Sequence, residues 1–289
     1  AGTFTYGTSN LTMTGTSKKI NYIGEETVYD LTINGTITLH EYKYGGATGL
    51  QPKGDLTIGA SKTLSSTSSE NIIITEHANT AITIGTPATG IAGLYSLRFR
   101  QSGSLNLPAC TTPRVLLETG TGNIVVATGD LTVTTELQVD SGTTFNANGN
   151  TITGRLIDVN GGTLNLSNST FAATREANYG IDLTAASTLT TGNTTLNGYD
   201  ASNHSAAYLP SAGGFEVVGD VSNFKIMSGG DLTVIGAVTD CSFENSTANI
   251  RQWHHTLDTQ QLLDADSGGD DDLRLTKPAL DNSHELMTG

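Results

Sequence analysis

The 289-residue chain is poor in charge, in strong helix formers and in cysteine. Only 15% of its residues are Asp, Glu, Lys or Arg, against about 25% in an ordinary soluble domain. Hydrophobic residues make up 36%, below the usual ~45%. Glu and Lys are scarce, while 47 Thr, 34 Gly, 23 Ser and 21 Asn fill the chain. Thr and Asn disfavour helix interiors, and Gly more so. This composition argues against a helical bundle and against an α/β enzyme. It does not describe a disordered chain either, because Leu, Ile and Val recur steadily in short runs.

Positive charge is scarcer still: 14 Lys plus Arg face 28 Asp plus Glu, for a net charge of −14. Apart from Lys18-Lys19 the basic residues are scattered, and a polyanion repels phosphate backbones, so no nucleic-acid partner is expected. The two cysteines, Cys110 and Cys241, are far apart, too few for a disulfide framework and without zinc spacing; they are read as free thiols. No apolar run approaches the ~18 residues of a membrane span. The numbering opens at Ala1 without a charged and then apolar leader; either a signal peptide is gone or only an initiator Met, and the small residue Ala favours the latter and cytoplasmic synthesis.

What is present is a repeated phrase: Asp or Asn, Leu or Ile, Thr, an aliphatic residue, then Gly. It reads Asn10-Leu11-Thr12-Met13-Thr14-Gly15, Asp30-Leu31-Thr32-Ile33-Asn34-Gly35, Asp55-Leu56-Thr57-Ile58-Gly59 and Ala81-Ile82-Thr83-Ile84-Gly85. Gly103-Ser104-Leu105-Asn106-Leu107 is a looser copy; Asp130-Leu131-Thr132-Val133 and Asp231-Leu232-Thr233-Val234 are close ones. From Leu11 to Leu131 the steps are 20, 25, 26, 23 and 26 residues. Each phrase alternates apolar and polar residues, the strand period, and is bounded by turn formers. One step holds two or three short strands, as in Leu131-Thr132-Val133, Leu137-Gln138-Val139, Thr144-Phe145-Asn146 and Asn150-Thr151-Ile152. An antiparallel sandwich also has short, evenly spaced strands, but a meander has no reason to repeat one phrase at one coil length. Stacked coils do, because like residues ladder at the ~4.8 Å strand spacing. The expected fold is all-β, a parallel β-solenoid with coils of about 20–26 residues. Its inward residues are expected to be Leu31, Ile33, Leu56, Ile58, Ile82, Ile84, Leu131, Val133, Ile152 and Leu164.

The phrase fades between about Phe171 and Gly214, where loop-rich excursions are expected around 172–214, and resumes at Phe215. The solenoid domain is assigned to residues 1–250. From Arg251 the text changes: Trp253 is the only tryptophan, Leu257 to Ala265 suits a short helix, and the stretch to Gly289 carries eight acidic and three basic residues. Residues 251–289 are read as an acidic C-terminal cap or docking arm. Trp253, Leu257, Leu262 and Leu263 supply its apolar docking surface, since a solenoid must shield its last open strand edge.

Candidate chemistry is thin. Glycoside cleavage needs two carboxyl groups about 5–5.5 Å or 6.5–9.5 Å apart. Asp158 and Asp182 are one coil apart with Asp140 upstream, and stack on the expected fold, but only Arg155 and Arg175 are near as a substrate clamp; solvated turn aspartates are the plainer reading. Asp264 to Asp272 matches a calcium loop only at its first alternating aspartates and lacks the closing Glu. His254-His255 point apart and have no third ligand at metal spacing. Thr-X-Thr pairs such as Thr12/Thr14, Thr36/Thr38 and Thr132/Thr134 are too intermittent for an ice-binding lattice. The seven Asn-X-Ser/Thr triplets are close to what composition gives by chance. No catalytic, cofactor or metal residues are assigned.

Gly129 to Thr170, with Gly129-Asp130-Leu131-Thr132-Val133, Asp140-Ser141-Gly142-Thr143-Thr144 and Gly161-Gly162-Thr163-Leu164-Asn165-Leu166, resembles the β-helical virion proteins of tailed bacteriophages: tail spikes, fibres and capsid decoration proteins. It is also similar to secreted bacterial adhesin passengers. The resemblance is one of style, covers roughly residues 10–250 and carries over no functional residue. It implies a non-enzymatic structural or attachment component of a virion, commonly a homotrimer, exposed on the particle. Other virion proteins, and a host-surface glycan, are the implied partners. A secreted adhesin or surface-layer component, at the cell surface, and a β-helix polysaccharide lyase or hydrolase are the alternatives.

Overall fold

The structure is a computed structural model that describes residues 10–22, 25–41, 49–75, 80–118, 122–174, 180–184, 186–199, 205–209, 214–228, 231–239, 241–244, 250–253 and 264–265. Among these residues there is no helix. The named strands pair in parallel and stack as a β-solenoid. Each coil visits three faces in turn. The first carries Gly49–Pro52, Asn71–Ile74, Ser96–Phe99 and their successors down to Asp264–Ala265. The second carries the repeated phrase in the early coils and then Gly103–Leu107, Asn123–Ala127 and Thr143–Asn146. The third carries Cys110 to Thr112, Leu131 to Val133, Thr151–Gly154 and Thr170–Ala173.

The core is a set of columns, one residue per coil. On the first face Ile74, Phe99, Leu117, Val139, Val159 and Leu183 stack. On the second, Leu105, Val125, Phe145, Leu164 and Leu189 do. On the third, Cys110, Leu131, Ile152, Phe171, Leu196, Val221 and Val238 do. The inward residues named from the sequence all lie in this core, with Ile84 only partly buried against it; its ladder ends with Ile82–Ile84 among the described strands. Cys110 and Cys241 are buried and form no disulfide, and burial pushes the Cys110 thiol up to about 12, so Cys110 packs as a small neutral hydrophobe.

The repeated aspartate has a physical reason. Asp30 Oδ1 accepts a hydrogen bond from the Asp55 backbone N–H at 2.8 Å, and Asp55 Oδ1 accepts one from Ala81 at 2.8 Å. Asp130 accepts from Thr151 at 2.8 Å, and Asp220 from Ala237 at 2.9 Å. Each carboxylate therefore satisfies an N–H where the next coil begins its strand, a charge-assisted bond at a corner. Asp130→Ala is expected to lower stability by about 1 kcal/mol, and Asp130→Asn, which keeps an acceptor oxygen, by less. Denaturant melts of the two variants check this; equal losses would count against the hydrogen bond.

The corners repeat as well. Gly122, Gly142 and Gly161 turn from the first face to the second at φ of 77°, 78° and 79°, a left-handed conformation that glycine adopts at no steric cost. Asn148, Asn168 and Asn193 make the next turn at 52°, 57° and 52°, as asparagine tolerates. Strands also run through the stretch where the phrase fades, at Gly180–Leu183, Thr188–Thr190, Thr194–Asn197 and Ser205–Leu209; residues 175–179, 200–204 and 210–213 lie outside the described ones.

Candidate functional site: the stacked aspartate face

Strand alternation sends every second residue of the first face outward. One outer column reads Arg98, Leu116, Gln138, Asp158 and Asp182. The sequence reading that Asp158 and Asp182 stack is therefore met: they are register partners on adjacent coils, about one strand spacing (~4.8 Å) apart along the ladder. Flanking columns place Glu136 in register with Arg114 and Asp140 with Asn160. Asp158 Oδ2 accepts from Asn160 Nδ2 at 3.0 Å, and Asp140 Oδ1 accepts from Gln138 Nε2 at 2.7 Å.

Burial raises the Asp158 carboxyl above the ordinary aspartate range; the Asn160 hydrogen bond opposes this, and the charges of Asp182, Glu136 and Asp140 add to it. Burial also raises Asp182. A stacked carboxyl pair whose hold on its protons is strengthened by burial is the raw material of acid/base chemistry. The described arginines of this face belong to earlier coils and are engaged there, while Lys225 lies on a later strand, Phe224–Ser228. Arg98 pairs with Glu118, Arg100 with Glu118 and with Glu25 at 2.8 Å, and Arg114 with Glu136 at 3.5 Å. Arg114 also lies over the Tyr95 ring at 4.4 Å. Arg155 sits at the corner after Gly154, where its N–H donates to the Val133 carbonyl at 3.3 Å. Arg175 lies outside the described residues.

The fold favours the neutral form of both aspartates, which fixes the sign of their pH dependence. Their cost is absent below the unfolded pKa, grows as pH rises from there towards the folded pKa, and is full above it. Asp158→Asn or Asp182→Asn is thus expected to stabilise the protein at pH 7. The gain is about 0.5 kcal/mol each, kept small because both groups are only half-buried and screened by solvent; at about pH 3 it vanishes. Thermal melts at the two pH values check this, and a loss of stability at pH 7 would overturn it.

Of the docking residues named from the sequence, Trp253 closes the strand Ile250–Trp253, in register with Ile235. Leu257, Leu262 and Leu263 lie outside the described residues, as do His254, His255 and the acidic run after Ala265. Asp264–Ala265 pairs with Ser242 and Phe243. Among the described residues no group of three or more His, Cys, Asp or Glu is placed to hold a metal, and no helix is long and apolar enough to cross a membrane.

Reading Thr pairs along single strands missed their true order, which runs across coils. Thr12, Thr32, Thr57 and Thr83 form one outer column. Thr111, Thr132 and Thr153 form another, and Thr151, Thr170 and Thr195 a third. No family model matches the chain, and neither a curated protein nor a solved structure matches it.

Proposed function

We propose that this chain is a non-enzymatic structural component of a bacteriophage virion, of capsid decoration or tail spike and fibre type. In this reading it is exposed on the particle surface, assembles as a homotrimer and contacts other virion proteins. The observation that carries the reading is that outward polar side chains bind coil to coil. Thr38 meets Ser65 at 3.1 Å, Asn197 accepts from Ser222 at 3.2 Å and from Asn223 at 3.1 Å, and the repeated aspartates bridge successive coils. A surface used this way makes a stiff, regular rod, which suits a spacer or attachment part. The test is an electron-microscopy map of the native particle, in which this fold should occupy surface density with threefold symmetry. Its absence from particles that contain the chain's gene product elsewhere would defeat the proposal.

The register of Asp158 on Asp182 favours one second reading, cleavage of a surface polysaccharide. Incubation with host-surface polysaccharides decides between the two. The structural reading expects no released oligosaccharide; release that is lost in Asp158→Asn or Asp182→Asn would establish the enzyme.

A further inference from the structure

We propose that the corner where Phe99 to Gly103 meets Gly122 and Asn123 holds ordered internal water bridging the side chains of Gln101 and Asn123. Gln101 is 1% exposed, and both its Oε1 and its Nε2 are without a hydrogen-bond partner. Asn123 is 0% exposed; its Nδ2 donates to the Phe99 carbonyl at 2.9 Å, and its Oδ1 has no partner. The two belong to one corner. Gly103 is the register partner of Asn123, and its N–H donates to the Gly122 carbonyl at 2.6 Å.

Neighbouring buried polar groups are satisfied from within the protein. Thr143, the register partner of Asn123 on the next coil, donates through Oγ1 to the Asp140 carbonyl at 2.6 Å. At another corner Ser96 donates to Asn71, whose Nδ2 donates to the Ser69 carbonyl at 2.9 Å. The Gln101 corner is also where the coil changes shape. Ile72, Leu97 and Val115 are successive register partners, so the coil shortens from 25 residues to 18. The second face passes there from the ladder ending at Ile82–Ile84 to the one beginning at Gly103–Leu107. Coils of unequal length do not close on one another through identical side-chain columns, and at this corner three buried amide atoms are left without protein partners.

Buried amide groups without partners are costly, and water making two to four hydrogen bonds is their usual remedy. One water accepts from Gln101 Nε2–H and donates to Asn123 Oδ1; a second donates to Gln101 Oε1. The test is nuclear Overhauser contact between long-lived water and the Gln101 side-chain amide protons, backed by a crystal structure at high resolution. The expected result is a water cross-peak to Gln101, with density within hydrogen-bond distance of Gln101 Nε2 and Asn123 Oδ1. In Gln101→Met, which keeps the volume without the polar atoms, the water on Asn123 should lose its second protein partner and its long residence. A direct Gln101–Asn123 amide bond, a Gln101 side chain turned out to solvent, or a dry corner would each overturn the proposal.

Discussion

Replacing Phe145 by alanine is expected to lower stability by about 3–5 kcal/mol, the range for removing a fully buried aromatic side chain. Phe145 is 0% exposed and stands between Val125 and Leu164 in the second-face column. The solenoid core is narrow, and the first- and third-face columns behind Phe145 are held by their own coil-to-coil ladders rather than free to move into the gap. The cavity term should therefore persist rather than relax away. Because each coil touches mainly its neighbours, the damage should also be local. Faster hydrogen exchange is expected at Asn123–Ala127 and Thr163–Asn165, the two partner strands, and much less at Leu56–Ile58. Denaturant unfolding with exchange mass spectrometry measures both parts. A loss below about 1 kcal/mol, or a uniform rise in exchange, would mean that the column is not the core element described.

The column containing Phe145 also shows how far the sequence could be read. Leu-Thr-aliphatic phrases returning every 20–26 residues pointed to parallel coils, and Leu31, Leu56, Leu131 and Ile152 took the inward positions expected of them. The 24-residue spacing of Asp158 and Asp182 likewise translated into a register pair. The first face was harder to see, because Gly49–Pro52, Asn71–Ile74 and Ser96–Phe99 share no phrase with one another. Its strands are recognisable only once the coil is closed. The aspartate of the phrase looked like a turn former, and its bond to the following coil depends on a partner 21 to 26 residues away. Gln101 and Asn123 carried no signal at all: polar residues beside glycine read as exposed turns, and their burial follows from a change of coil length that no local pattern announces.

Removing residues 251–289 is expected to leave the strand signal in circular dichroism and to abolish trimer formation and incorporation into particles. This rests on the proposed role of the C-terminal stretch. Ile250–Trp253 pairs with Leu232 to Ile235, so truncation leaves that strand as an open edge. Alternation places Val234 inward, at 1% exposure, and Ile235 outward, at 41%. Ile235 lies in register between Val218 and Trp253 at the end of the described ladder. Tryptophan is a favoured interface anchor, and truncating such an anchor typically costs about 2 kcal/mol or more, roughly a 30-fold weakening. Trp253→Ala should therefore shift the trimer equilibrium towards monomer without unfolding the coils, while the full truncation should leave only monomer in sedimentation velocity. A truncated chain that still sediments as a trimer and enters particles would place the docking surface elsewhere, on the outer columns of the solenoid.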